Sequence, residues 1–259
     1  MTLFDIEKFK EEFETEGHSL VPDVLNGDFI RSAKAELEQA IEKEVAYHGS
    51  TSFGDYGMVL LCPLYGGSFL SMFDNPRLTG PFNAILGEGC TVYAHTSSSM
   101  PPNKTNYSRR IHVDSPRLIP GYITNMGATI LLDDFTEKNG ATWFLPRSQH
   151  MAEMPTDEEF YKNGKRLIAK AGSVWFFNAR LWHAGGQNTT QNWRHALTIN
   201  MCRPYMKQRI DIPRAMSTMD LSGLSKAVLQ KLGFLAQVPA SYDEYYAPPE
   251  LRKFQQTQE

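Results

Sequence analysis

The chain has 259 residues, 41% hydrophobic and 21% charged, with a net charge of -3. This suits one β-rich domain with a full core. With no basic stripe, nucleic acid is not an expected partner, and no stretch reaches the roughly 18 apolar residues of a membrane span. Cys62, Cys90 and Cys202 are scattered and form no Cys-x-x-Cys pair, and the acidic start Met1 to Glu7 lacks the plan of a signal peptide. A disulfide framework and a zinc ribbon are therefore excluded, and the expected location is the reducing cytoplasm.

Ile6, Phe9 and Phe13 recur at helical spacing, so residues 5–15 read as a helix that Gly17 ends. His18 to Leu25 reads as a short strand and turn. Asp28 is the expected cap of a long amphipathic helix carrying Ile30, Ala33, Leu37, Ala40 and Ile41. Residues 48–57 read as loop and Met58 to Cys62 as a short apolar strand. Asn75-Pro76 starts a further helix, closed by Gly87. Cys90 to Ser98 is strand-like, and residues 99–110 form a polar loop.

From Met126 onward the pattern is β. Met126 to Asp133 is a strand, residues 134–139 a turn, and Ala141 to Leu145 an antiparallel return. Leu167 to Lys170, Ser173 to Asn178, Leu181 to Ala184 and His195 to Arg203 are further strands, and Leu224 to Leu232 a late helix. The fold class expected is mainly β with flanking helices, a jelly roll. It forms one domain over residues 1–259. A helical cover spans 1–47, the jelly-roll core about 58–203, and a C-terminal cap 204–259.

The chemistry concentrates at His112-Val113-Asp114. On a short strand a His and an Asp one residue apart project to one face and can hold adjacent positions on one metal. His183, on another expected strand, is the candidate third ligand, and Arg194 follows it at the start of the next strand. Two histidines and one carboxylate with open positions suit a non-haem Fe(II) oxygenase.

With Leu132 to Thr142, Leu145-Pro146-Arg147-Ser148 and His183 to Arg194, these residues resemble the phytanoyl-CoA dioxygenase family of Fe(II)- and 2-oxoglutarate-dependent oxygenases. The likeness covers nearly the whole chain. The family's usual Pro-Gly-Ser-His is Pro146-Arg147-Ser148-Gln149-His150 here, a departure in a turn and not at a ligand. The resemblance implies a double-stranded β-helix of cupin-like type, with His112, Asp114 and His183 holding Fe(II). It implies Arg194 as the cation for the far carboxylate of 2-oxoglutarate and Thr142 as a hydroxyl donor to it. Thr129 faces the same region by strand alternation, and Arg109 is a candidate for the near end of the co-substrate. Arg117, Tyr65 and Phe53 are candidates for the substrate, the last two in a lid. O2 and 2-oxoglutarate would give succinate and CO2 while a small-molecule metabolite is hydroxylated, desaturated or dealkylated. Because a carboxylate stands at Asp114, where halogenating relatives carry a small residue, oxygenation is expected. Two other readings use the same ligands: a catalytically silent metal-binding or sensing jelly roll, and a zinc hydrolase. The sequence leaves the oligomeric state open.

Overall fold

The computed structural model describes residues 4–252. Helix α1 (Ile6–Glu16) starts at Asp5, whose side chain accepts from the Lys8 N–H, and ends at Gly17 with φ 81°. Strand β1 (His18–Val21) follows. Helix α2 (Gly27–His48) is capped by Asn26, whose side chain accepts from Phe29 N–H; the expected cap, Asp28, lies in the first turn instead. Asn26 is the residue with extended backbone, and that conformation aims its side-chain oxygen at the free N–H groups. A short α3 (Ser68–Ser71) leads to α4 (Pro76–Leu86), capped by Asn75 with Pro76 at the first position.

The strands are β2 (Thr91–Ser97), β3 (Asn125–Leu131), β4 (Trp143–Phe144), β5 (Lys165–Arg166), β6 (Val174–Asn178), β7 (His183–Ala184) and β8 (Ala196–Cys202). Helix α5 (Asp157–Asn163) precedes β5, and α6 (Ile212–Ala215), α7 (Lys226–Lys231) and α8 (Tyr242–Tyr245) follow β8. Five strands form an antiparallel sheet in the order β1-β6-β3-β8-β2, and three form a second in the order β5-β4-β7. Leu131, Phe135, Phe144, Trp175 and Leu181 pack together between the sheets. The other face of the large sheet, with Val92, Ile130, Phe176 and Ile199, packs against Phe9, Phe13, Leu37 and Phe82 of the helices.

Four expectations are corrected. Met58 to Cys62 is not a strand. Its bonds to the edge of β2 run through Val59, which accepts from Ser97 N–H at 2.8 Å and donates to Ser97 Oγ at 2.9 Å, and a 3-10 turn holding Pro63 follows. Ala141 to Leu145 does not return along β3. Both edges of β3 are taken by β6 and β8, so the chain crosses to the second sheet and pairs with β5 and β7. The strand placed at Leu167 to Lys170 is instead Lys165–Arg166, with one further bridge from Ala169 to Phe135. His112 to Asp114 is not a regular strand. One bridge, His112 to His183, and the bond from Ser115 N–H to Ala179 O at 2.9 Å hold it beside the segment leading into β7.

Candidate active site

The bridge between His112 and His183 brings two residues far apart in sequence side by side. Their backbone N–H and C=O groups exchange bonds of 3.0 Å in both directions, and their rings lie 4.2 Å apart. Asp114 Oδ1 lies 3.6 Å from His112 Nε2 and 3.8 Å from His183 Nε2. All three donor atoms fall within 4.8 Å of one another.

The remaining ring atoms decide how the donors point. His112 Nδ1 lies 2.7 Å from Arg110 O, and His183 Nδ1 lies 2.9 Å from Leu181 O. A carbonyl only accepts, so each Nδ1 is assigned the proton, which leaves each Nε2 as an atom that can ligate a metal beside Asp114 Oδ1. Asn200 Nδ2 donates to Asp114 Oδ2 at 3.2 Å, which leaves Oδ1 for the histidines. Behind it Asn125 Nδ2 donates to Asn200 Oδ1 at 3.2 Å, and Thr124 Oγ1 donates to Asn125 Oδ1 at 2.9 Å. The carboxylate is thus oriented by a relay running across β3 and β8. On the other side Phe177 packs 5.1 Å from the His183 ring. Gly127, its cross-strand partner, makes this possible, because a Cβ there would overlap the Phe177 ring.

Burial drives the His183 pKa down to about 4, so the ring is neutral at physiological pH. For His112 burial acts in the same direction, but Asp114 and the Arg110 carbonyl outweigh it and hold the pKa above the ordinary value. For Asp114 burial alone would raise the pKa; the two histidines and Asn200 hold it below.

Arg194 is 2% exposed. One Nη donates to Ser98 O at 3.0 Å, the guanidinium lies 4.1 Å over the Phe135 ring, and Nε has no partner among the described residues. Burial pulls its pKa down to about 9, with Asp133 opposing, so it stays charged at neutral pH. Ser98 Oγ is likewise buried and without a partner. One cavity of about 90 Å³ is lined by His112, Asp114 and His183 together with Arg194, Ser98, Thr129 and Thr142.

A carboxylate and two imidazoles, each oriented from behind, leave room for further ligands, a donor set that fits Fe(II). The sequence pattern of the phytanoyl-CoA dioxygenase (PhyH) family matches residues 13–196. The chain belongs to this family. It is a non-haem Fe(II)- and 2-oxoglutarate-dependent dioxygenase. Uncharacterized protein Rv1501 of Mycobacterium tuberculosis is 26% identical over 261 residues, 98% of this chain and 96% of the relative. Dioxygenase FUM3 of Gibberella moniliformis is 30% identical over 113 residues, 42% of this chain and 35% of the relative. In fold the chain is similar to the carbocyclase SnoK, with a TM-score of 0.62, 20% identity, and coverage of 78% of this chain and 87% of that one. It is also similar to the epimerase SnoN in complex with Fe3+, α-ketoglutarate and nogalamycin RO. There the TM-score is 0.61 and the identity 18%, with 79% and 87% covered.

The structure therefore brings together His112, Asp114, His183, Arg194, Thr129 and Thr142. It places four candidates elsewhere. Arg109 ends a 3-10 turn and is exposed. Arg117 lines a separate cavity with Tyr122 and Arg180. Phe53 stacks on His48 at 4.1 Å, and Tyr65 donates to Glu44 at 3.0 Å. None of the four lines the cavity that His112, Asp114 and His183 share. His18, at the start of β1, packs 4.5 Å from Phe144. The sequence reading missed Asn200, Ser98, Thr96 and Thr198. Strand alternation offered a signal for three of them, since Thr96 pairs with Thr198 and Thr198 with Thr129, while Asn200 follows two residues later on the same face.

Proposed function

We propose that His112, Asp114 and His183 hold Fe(II) and that Arg194, Thr142 and Thr129 hold 2-oxoglutarate. The enzyme then oxidises a small molecule of natural-product or secondary metabolism, by hydroxylation, desaturation or dealkylation. The observation that carries the reading is Arg194: a buried cation with an unpartnered Nε, in the same cavity as the triad. A buried charge without a partner is costly, and a ligand carboxylate would match the planar fork. The relatives that act in nogalamycin biosynthesis support the metabolic setting. Three buried, free cysteines support a reducing compartment, the cytoplasm. Among the described residues no helix is long and apolar enough to cross a membrane.

Bound iron supplies O2 activation coupled to conversion of 2-oxoglutarate to succinate and CO2. The chain's own residues do the rest. Arg194 binds and orients the far carboxylate of the co-substrate. Trp175 and Phe177 line the cavity and limit water at the reacting centre. Asn200 keeps Asp114 Oδ1 turned to the two Nε2 atoms. Asp114 is a carboxylate where halogenating relatives carry a small residue, which favours oxygenation.

Anaerobic addition of Fe(II) and 2-oxoglutarate should give a weak visible charge-transfer band in the wild type and none in Asp114→Ala. A colourless wild type, or a band that survives in Asp114→Ala, would count against the assignment.

A further inference from the structure

Strand β2 is the outer edge of the large sheet, and that edge is closed only in places. On one side of His95, Arg209 N–H donates to Tyr93 O at 3.0 Å; on the other, Ser97 N–H donates to Val59 O at 2.8 Å. Both groups point away from β8, whereas Ser98 N–H points toward it, to Ala196 O at 2.9 Å. Alternation along an antiparallel strand then turns the His95 N–H and C=O to the outer edge. Among the described residues, neither is bonded there. The His95 side chain is also buried, 2% exposed, and neither ring nitrogen has a partner. Phe69 and Phe73 hold the ring edge-on, at 6.2 and 5.8 Å. Burial keeps the imidazole neutral, with a pKa of about 3. Four polar atoms of one buried residue thus lack partners, where buried polar groups are as a rule bonded.

A cavity of about 420 Å³ lies at this gap. Its walls are mostly apolar and include Leu60, Leu61, Leu64, Ile210 and Ala215. The volume is in the range of small-molecule sites. Thr96 forms part of the wall of this cavity and of the one that holds the metal triad.

We propose that this gap is a recognition subsite for an apolar, amide-bearing small molecule, one aminoacyl unit of which (−NH−CHR−CO−) pairs with the His95 peptide. An added strand residue would bind in the same way: opposed residues of an antiparallel pair exchange both N–H···O bonds. The leucines and Ile210 take the side chain. A protein strand does not fit, because the bonds at Tyr93 and Ser97 close the edge two residues to either side. The inference names the class of prime substrate and rests on the oxygenase reading, since it is Thr96 that sets the ligand beside the oxidising centre.

N-acetyl-L-leucine methylamide is the probe. With the full chain loaded with Zn(II) as a diamagnetic stand-in and with 2-oxoglutarate, it should move the His95 amide resonance saturably. The analogue in which oxygen replaces the donating N–H should bind at least tenfold more weakly. So should the variants Ala215→Trp and Leu64→Trp, which fill the cavity from exposed positions outside the metal site. No saturable shift overturns the subsite, as does equal affinity of the analogue or of both variants. The Fe(II) and 2-oxoglutarate band, measured on the same preparations, separates the two readings. A band without a His95 response overturns the subsite alone. A saturable His95 response without a band upholds the subsite as a binding slot and overturns the oxygenase reading.

Discussion

The two faces of the large sheet are both buried, yet they are built from different residues. The face toward the helices carries Val92, Ile130, Phe176, Leu197 and Ile199, all closely packed. The face toward the second sheet carries Thr96, Thr198 and Thr129 in one cross-strand row ending at Trp175. The next row holds Ala94, Asn200, Gly127 and Phe177. Hydroxyls and an amide line the cavity that we assign to the charged co-substrate; branched hydrocarbon packs the face against the helices. Burial alone does not tell a core from a site. The residue types on alternate positions of the same strands do.

The largest expected effect comes from the inner side. Arg194→Ala should weaken 2-oxoglutarate binding by about 3 kcal/mol or more, roughly a hundredfold or more, because a ligand carboxylate would lose its buried partner. Calorimetric titration measures it, and an unchanged Kd would separate Arg194 from the co-substrate. Next, Asn200→Ala should lower Fe(II) affinity by roughly 10- to 100-fold, the usual cost of losing a group that orients a metal ligand. Its melting temperature without metal should move much less. If metal affinity holds, the relay behind Asp114 is only structural.

Gly127→Ala tests whether the inner face tolerates ordinary core packing. Its Cβ would meet the Phe177 ring, so overpacking should cost about 1–3 kcal/mol in urea unfolding and loosen the support of His183. An unaltered midpoint would show that the ring has room to move.

A pH-dependent effect concerns histidines outside the triad. Burial depresses the pKa of His95 to about 3 and of His195 to about 4. In the unfolded chain each has the ordinary value near 6.5, so below that pH the unfolded state binds more protons and stability falls with pH. The loss runs from about pH 6.5 down toward 4 for His195 and 3 for His95. At pH 5 it should amount to about 2 kcal/mol per histidine. Urea midpoints at pH 7 and 5 measure it. His95→Phe should remove its share, and a pH-independent midpoint would mean that the ring is solvated.

Much of the candidate site is legible in the sequence because its signals are local. His112 and Asp114 are close in sequence, and the His183 to Arg194 stretch and the turn at Asn139 to Thr142 carry recognisable patterns. The lid residues were not legible. Phe53 and Tyr65 sit in a segment rich in glycine and aromatics, and only their partners, His48 and Glu44, show that they pack against α2. Asn200 was missed because a polar residue inside a strand pattern looks like a solvent-facing one until something is seen to lie across from it. The departure at Arg147 now has a structural reading. Its φ is 65°, the left-handed conformation that a glycine adopts freely. The Glu16 carboxylate accepts from its guanidinium and helps hold the turn.

What the sequence by itself determined is the set of short-range choices. These are the glycines that end α1 and α4, the proline that starts α4, the alternation on β3 and β8, and the residue types of the candidate metal donors. Each depends on neighbours within a few residues, and periodicity reports such neighbours directly. Only the tertiary structure decided that Ala141 to Leu145 leaves β3 for the second sheet. It alone seated His112 against His183 without a regular strand, and it alone left the edge of β2 open at His95. Those outcomes depend on which strand edges are already occupied, and that is a property of the assembled sheet.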